Sequence, residues 1–237
     1  MIGLGTLINT GCIIIGGLLG MAGGGFLKDS YRESIIKAVG VAVMFVGISG
    51  SLSRMLVVSE SGIDTQGSMM MIASLAAGAL AGEIADIEGM FERLGKWLRK
   101  VTKSEGDKGF INAFLTASLT VCIGAMAIVG SIQDGISGDY ATLAIKGILD
   151  FLIIFVMAAS LGKGAVFSAV PVFILQGSVT LLARAIAPVM TDAAVANLSL
   201  VGNILIFCVG VNLLKPGSFK VANMLPAVLI AVIWSLF

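Results

Sequence analysis

The sequence predicts an all-α, multi-pass integral membrane protein with about eight transmembrane helices. Composition is the first observation that predicts it. Of 237 residues, 57% are apolar and only 12% charged, with a mean hydropathy of +1.05. A soluble domain carries about 25% charged residues, so this chain has too few charges to cover a water-facing surface. The second observation is that the apolar residues fall into segments near the length of about 20 residues that a bilayer crossing needs. The third is that the positive charges between those segments sit on alternate loops.

The segments are expected near 2–24, 34–53, 67–86, 110–132, 141–160, 163–187, 193–214 and 221–237. The run Gly23-Gly24-Gly25 ends the first, and Glu83 and Asp86 fray the third. The eighth is short and carries Pro226. Lys28, Arg32 and Lys37 follow the first span. Arg93, Lys96, Arg99, Lys100, Lys103 and Lys108 follow the third, Lys163 the fifth, and Lys215 and Lys220 the seventh. The opposite side receives only Arg54 and Arg184, and Lys146 stays inside the fifth span. Short loops rich in Lys and Arg stay in the cytoplasm, so both termini are expected outside.

Residues 84–103 read differently. Ile84, Ile87, Met90, Phe91, Leu94, Trp97, Leu98 and Val101 recur at helical spacing among charges that are acidic early and basic late. That order suits the helix dipole. It predicts an amphipathic helix in the cytoplasmic interface, with Trp97 as an anchor; a docking site for a soluble partner is the alternative.

The chain divides accordingly within one transmembrane domain, 1–237: a three-span half (1–86), a cytoplasmic segment (87–109), a central pair of spans (110–160) and a second three-span half (161–237). Five spans separate the start of the first from the start of the sixth, so any kinship between the halves must be an inverted repeat, as in many secondary transporters. Laying Ile2–Gly17 on Leu161–Gln176 matches Gly3, Gly5 and Ile15 with Gly162, Gly164 and Ile174, and sets Asn9 opposite Ser168. Laying Ala38–Ser51 on Leu200–Leu213 matches Val39, Gly40 and Phe45 with Val201, Gly202 and Phe207.

Charge at bilayer depth is expensive and marks function. Lys146 and Asp150 lie four residues apart, one helical turn, near the middle of the fifth span. They are the candidate substrate or ion site, Asp150 as cation or proton binder and Lys146 as its counter-charge. A structural ion pair that orients the span is the competing reading. Asn9, Ser168, Gln176 and Asn203 are further candidates. Asn9-Thr10-Gly11 and Ser168 with Pro171 are places where the first and sixth spans would break around a midplane site. The Gly/Asp-rich stretch Gly124 to Asp139 reads as a tight outer turn between spans four and five, with an outer vestibule as the alternative. Met69-Met70-Met71 would diverge on one helix and is not a metal site. Cys12, Cys122 and Cys208 have no zinc or redox spacing and read as small core residues.

Gly124-Ala125-Met126, Gly130-Ser131, Asp134-Gly135, Gly138-Asp139, Lys146, Leu149-Asp150, Ser160, Gly162, Gly82-Glu83 and Asn223-Met224-Leu225-Pro226-Ala227 resemble the bacterial membrane family of unknown function 554. The match runs over nearly the whole chain. The resemblance implies a bacterial inner or plasma membrane protein of about this length and at most a generic transporter label.

Three function classes stand against one another: a secondary carrier of a small solute or ion working by alternating access, an oligomeric passive channel, and a non-transport membrane scaffold read through residues 84–103. The Gly content permits packing between subunits, so a homo-oligomer is compatible with all three. An enzyme is not expected. Histidine is absent, which removes His-based triads and shuttles, and no cofactor motif or activated nucleophile is legible. No metal, no cofactor and no nucleic acid partner is expected, since the basic residues are dispersed among the spans. A cleavable signal peptide is not expected either, because no basic segment precedes the first span.

Overall fold

In hydrocarbon the backbone must satisfy its own hydrogen bonds, which leaves helices as the spanning form for segments this apolar. The computed structural model describes residues 1–24, 28–59, 62–107 and 109–236; Gly25, Lys108 and Phe237 lie outside them. The helices are α1 (Leu4–Gly24), α2 (Asp29–Met55), α3 (Ser68–Ala85), α4 (Ile87–Val101), α5 (Phe110–Cys122), α6 (Ala125–Ser137) and α7 (Ala141–Leu161). A 3-10 turn (Lys163–Ser168) then leads into α8 (Ala169–Leu181). Two short turns (α9, Ala183–Ile186; a 3-10 turn, Ala187–Val189), α10 (Asp192–Leu214), α11 (Val221–Met224) and α12 (Pro226–Trp234) complete the chain. A two-stranded antiparallel hairpin, β1 (Leu56–Ser59) with β2 (Gly62–Thr65), follows α2.

Six of these segments are long and apolar enough to cross a membrane, seven if the bent pair α5–α6 is one crossing. The expected eight thus stands at six to seven by length. The shortfall lies at the end of the chain: Val221–Trp234 extends roughly 21 Å at 1.5 Å per residue, short of a hydrocarbon core about 30 Å thick. The fourth span is also not the straight helix expected over 110–132. It breaks at Ile123-Gly124, and its halves meet at 62°. Gly124 sits at φ +153°, a region that side-chain-bearing residues rarely adopt. The stretch read as an outer turn is largely helix α6. Conversely, α1 runs unbroken through Asn9-Thr10-Gly11, and the Thr10 hydroxyl donates to the Thr6 carbonyl at 2.7 Å. The sixth span does change character where expected: Ser168 closes the 3-10 turn and Pro171 lies in the first turn of α8.

The chain resolves into two compact units. Unit 1 comprises 1–39, 89–122 and 126–186. In it, Gly16, Gly20 and Gly24 of α1 lie directly against the backbone at Phe151, Phe155 and Ala159 of α7. The residue numbers rise together, so α1 and α7 run parallel, as the first and fifth of alternating spans must. Glycine at every fourth position lets the backbones touch, and in lipid that packing replaces hydrophobic drive. On the 3-10 turn and α8 the order reverses: Thr6 faces Thr180 of α8 and Gly17 faces Val166 of the turn, an antiparallel arrangement. Helix α4 covers α5 through a cluster of Leu98, Phe110 and Phe114 with Phe91 and Leu94 against it. Met90 and Trp97 of α4 are exposed.

Unit 2 comprises 40–88, 123–125 and 187–237. Gly40 of α2 meets Leu213 of α10, Gly47 meets Phe207, and Gly50 meets Asn203, again antiparallel. Gly78 and Gly82 of α3 lie on the backbone of Ala227 and Asn223, so α3 and the α11–α12 segment are antiparallel as well. Met70, Leu200, Val201, Ala227 and Ala231 form the core. The three consecutive methionines do diverge: Met70 is buried and Met69 exposed. Large apolar side chains such as Phe45, Leu80, Ile148 and Leu229 face outward, a surface suited to lipid rather than water.

Candidate functional site

A set of buried polar groups lies in unit 1, around the middle of α7. Lys146 and Asp150 are 7% and 3% exposed, and the ammonium donates to both carboxylate oxygens, Oδ1 at 2.8 Å and Oδ2 at 2.6 Å. Its third bond goes to the carbonyl of Val121 at 2.8 Å. Val121 lies in the last turn of α5, where the break leaves carbonyls without intrahelical donors. Lys146 therefore caps the negative end of a half-helix while it neutralises Asp150. Gly147, between the two, brings α7 close to Asn9 and Cys12 of α1.

Two amides complete the site. Asn9 and Gln176 are 0% and 1% exposed, and neither the oxygen nor the nitrogen of either side chain has a hydrogen-bond partner. The Asn9 amide lies beside the Asp150 carboxylate. Gln176 is one turn before Thr180 on α8. The antiparallel contacts of Thr6 with Thr180 and Gly17 with Val166 therefore set Gln176 at the level of Asn9. Leaving a buried polar group unpaired costs about 1–3 kcal/mol, so two buried amides at one level, one of them beside a buried ion pair, mark a place suited to something polar.

The other two sequence candidates are elsewhere. Ser168 is buried, but its hydroxyl donates to Ala165 within its own turn at 2.7 Å, two helical turns from Gln176. Asn203 belongs to unit 2, where its amide donates to the Ser199 carbonyl at 2.7 Å and packs on Gly50. Both are accounted for by local structure. Among the described residues no three Cys, Asp or Glu side chains converge as a metal cluster.

Two groupings escaped sequence reasoning. Asp134, read as part of an outer turn, is 0% exposed, and its carboxylate accepts the backbone N–H groups of Gly3 at 3.2 Å and Gly5 at 3.0 Å. It caps the N-terminus of α1 from another helix, where the dipole favours negative charge. In unit 2, the Glu83 carboxylate is bonded by Lys220 and, at 2.6 Å, by the Asn223 amide. The Asn223 oxygen in turn accepts the Glu88 N–H at 2.7 Å. The Glu83 carboxylate holds the Lys220 ammonium above its ordinary pKa. The only signal for these groupings was that Asp134-Gly135, Gly82-Glu83 and Asn223-Met224-Leu225-Pro226-Ala227 stood among the motifs of the family resemblance.

A profile of the family described as protein of unknown function (DUF554) matches residues 4–236. The chain is 31% identical over 226 residues to the uncharacterized membrane protein YdfK of Bacillus subtilis (strain 168), covering 95% of this chain and 93% of that one. It is 30% identical over 232 residues to the uncharacterized protein YqgA of Escherichia coli (strain K12), covering 96% and 94%. No solved structure matches it.

Proposed function

The chain belongs to the protein family of unknown function 554, and on that premise we propose that it is a secondary carrier of a small solute or ion, with its site at Lys146 and Asp150. The observation that carries this reading is the buried ion pair at a broken helix, with Asn9 beside it and the unpartnered Gln176 amide at the level of Asn9. Broken helices supply substrate and ion sites near the midplane of many transporters, and intramembrane charge is seldom retained without use.

In this reading the two three-span halves, separated in the sequence by α4 to α7, form an inverted repeat. Its support is that each first-half helix packs antiparallel on its counterpart: α1 on α8, α2 on α10, and α3 on α11–α12. The short last helix is then an eighth crossing, which returns both termini to the outer face of a bacterial plasma membrane. Helix α4 lies on the cytoplasmic face, with Arg93, Lys96, Arg99 and Lys100 among its charges.

Asp150→Asn tests the assignment in proteoliposomes. Protein that still inserts is expected to lose solute flux or its pH dependence. Unchanged flux at several pH values would remove Asp150 from the mechanism. Acceleration of uptake by solute on the far side identifies a carrier, whereas a pore gives none.

A further inference from the structure

We propose that the oxygens now holding the Lys146 ammonium form a binding site for a dehydrated monovalent cation, with that ammonium as its tethered competitor. The inference deepens the carrier reading by naming the class of ion at the same site. A lysine ammonium has three donors, and here all three end on oxygen: Val121 O, Asp150 Oδ1 and Asp150 Oδ2. The ammonium is thus already coordinated as a small cation would be. Carbonyl oxygens can replace an ion's hydration shell, and the C-terminal ends of half-helices are recurrent cation ligands in broken-helix transporters.

What the ammonium leaves unused is informative. The Asn9 amide is buried beside this cage, and the Gln176 amide is buried at the same level on α8 with no partner. Turned oxygen-inward, Asn9 raises the available ligands from three oxygens to four, and Gln176 on the facing helix is the further amide at that level. The ammonium has no fourth donor to reach them, whereas a spherical ion has no such limit. One carboxylate carries one negative charge, which matches a monovalent ion; a divalent ion would leave excess charge at bilayer depth. An anion would have to lie against Asp150. Because the ammonium and the ion need the same three oxygens, entry of one requires departure of the other, and the charge in the cage is conserved.

The test uses the purified full chain in detergent, with thermal unfolding followed in sodium, potassium and choline chloride at equal ionic strength. Sodium or potassium is expected to raise the unfolding midpoint saturably above that in choline, because an ion bound only by the native state stabilises it. Lys146→Met removes the competitor and leaves Asp150 uncompensated, so the half-saturating cation concentration should fall by about tenfold or more. Gln176→Leu removes an orphaned amide, so it should fold at least as well as the parent yet lose most of the cation effect. Asp150→Asn should abolish it, and if that variant does not fold, the other two decide.

Equal midpoints in choline and in both alkali salts, for the parent and for Lys146→Met alike, overturn the proposal. So does a cation effect that survives Asp150→Asn or is undiminished in Gln176→Leu. If flux depends on Asp150 but no cation effect exists, the cation site fails and the carrier stands. If the cation effect depends on Asp150 but flux does not, the carrier fails and the cation site stands.

Discussion

Two lysine–carboxylate pairs, Lys146–Asp150 in unit 1 and Lys220–Glu83 in unit 2, are opposites. Lys146–Asp150 joins residues one turn apart on a single helix, with side chains 8% and 4% exposed. Lys220–Glu83 joins residues far apart in the chain, with side chains 63% and 54% exposed. The first follows from helical spacing alone, and burial makes it costly to break. The second needs the fold to bring its partners together and is weak because water surrounds it. A charge pair is thus easiest to read in a sequence where it is local, and its energy is decided by burial, which is a separate matter.

The largest expected effect separates the two pairs by removing one member of the buried one. Lys146→Met or Asp150→Leu alone should destabilise by about 3–5 kcal/mol, while the double substitution recovers much of the loss because no charge is stranded. Unfolding of the purified variants would check this. Equal losses in the single and double variants would mean that the pair is held by something other than its partner.

A smaller effect sharpens the comparison through the backbone contacts that support each site. Gly20→Ala in unit 1 drives a methyl group onto the Phe155 carbonyl, and Gly82→Ala in unit 2 drives one onto the Asn223 carbonyl. Each should cost about 1–3 kcal/mol, as overpacking does. Gly11→Ala and Gly23→Ala meet nothing within 4 Å and should be neutral or stabilising by up to about 1 kcal/mol, since alanine favours helix. Equal behaviour of the two sets would break the claim that close backbone approach selects these glycines.

The smallest effect belongs to the exposed pair. Glu83 raises the Lys220 pKa above the ordinary lysine value of 10.5, so whatever stability the pair contributes is present below that value and is lost as pH rises through the raised one. Lys220→Gln should therefore change the unfolding midpoint slightly at neutral pH, less in high salt, and flatten its decline in alkali. A large change at neutral pH and high salt would show that this pair is not the minor partner in the comparison.

Much of the architecture was legible. The helical spans, their alternation in direction and the Lys146–Asp150 pair follow from hydropathy, loop charge and a four-residue spacing. The same reasoning missed the kink at Ile123-Gly124, because a broken span and a straight one have the same composition. It placed Asp134 in a solvent turn because Gly and Asp favour turns, whereas the neighbouring helices bury that carboxylate on the first amides of α1. It ranked Asn9, Ser168, Gln176 and Asn203 alike. Packing separated them, since two find local partners and two find none.

The sequence by itself thus determined that the chain lives in lipid, where its helices lie and which charges share a helical turn. These follow from transfer energies and from interactions over a few residues. Only the tertiary structure decided that Lys146 caps a broken helix, that the Asn9 and Gln176 amides share a level on facing helices, and that Glu83 meets Asn223. Those depend on which backbones approach within each unit, and close approach is set by three-dimensional contact between distant glycines and their neighbours rather than by any local pattern.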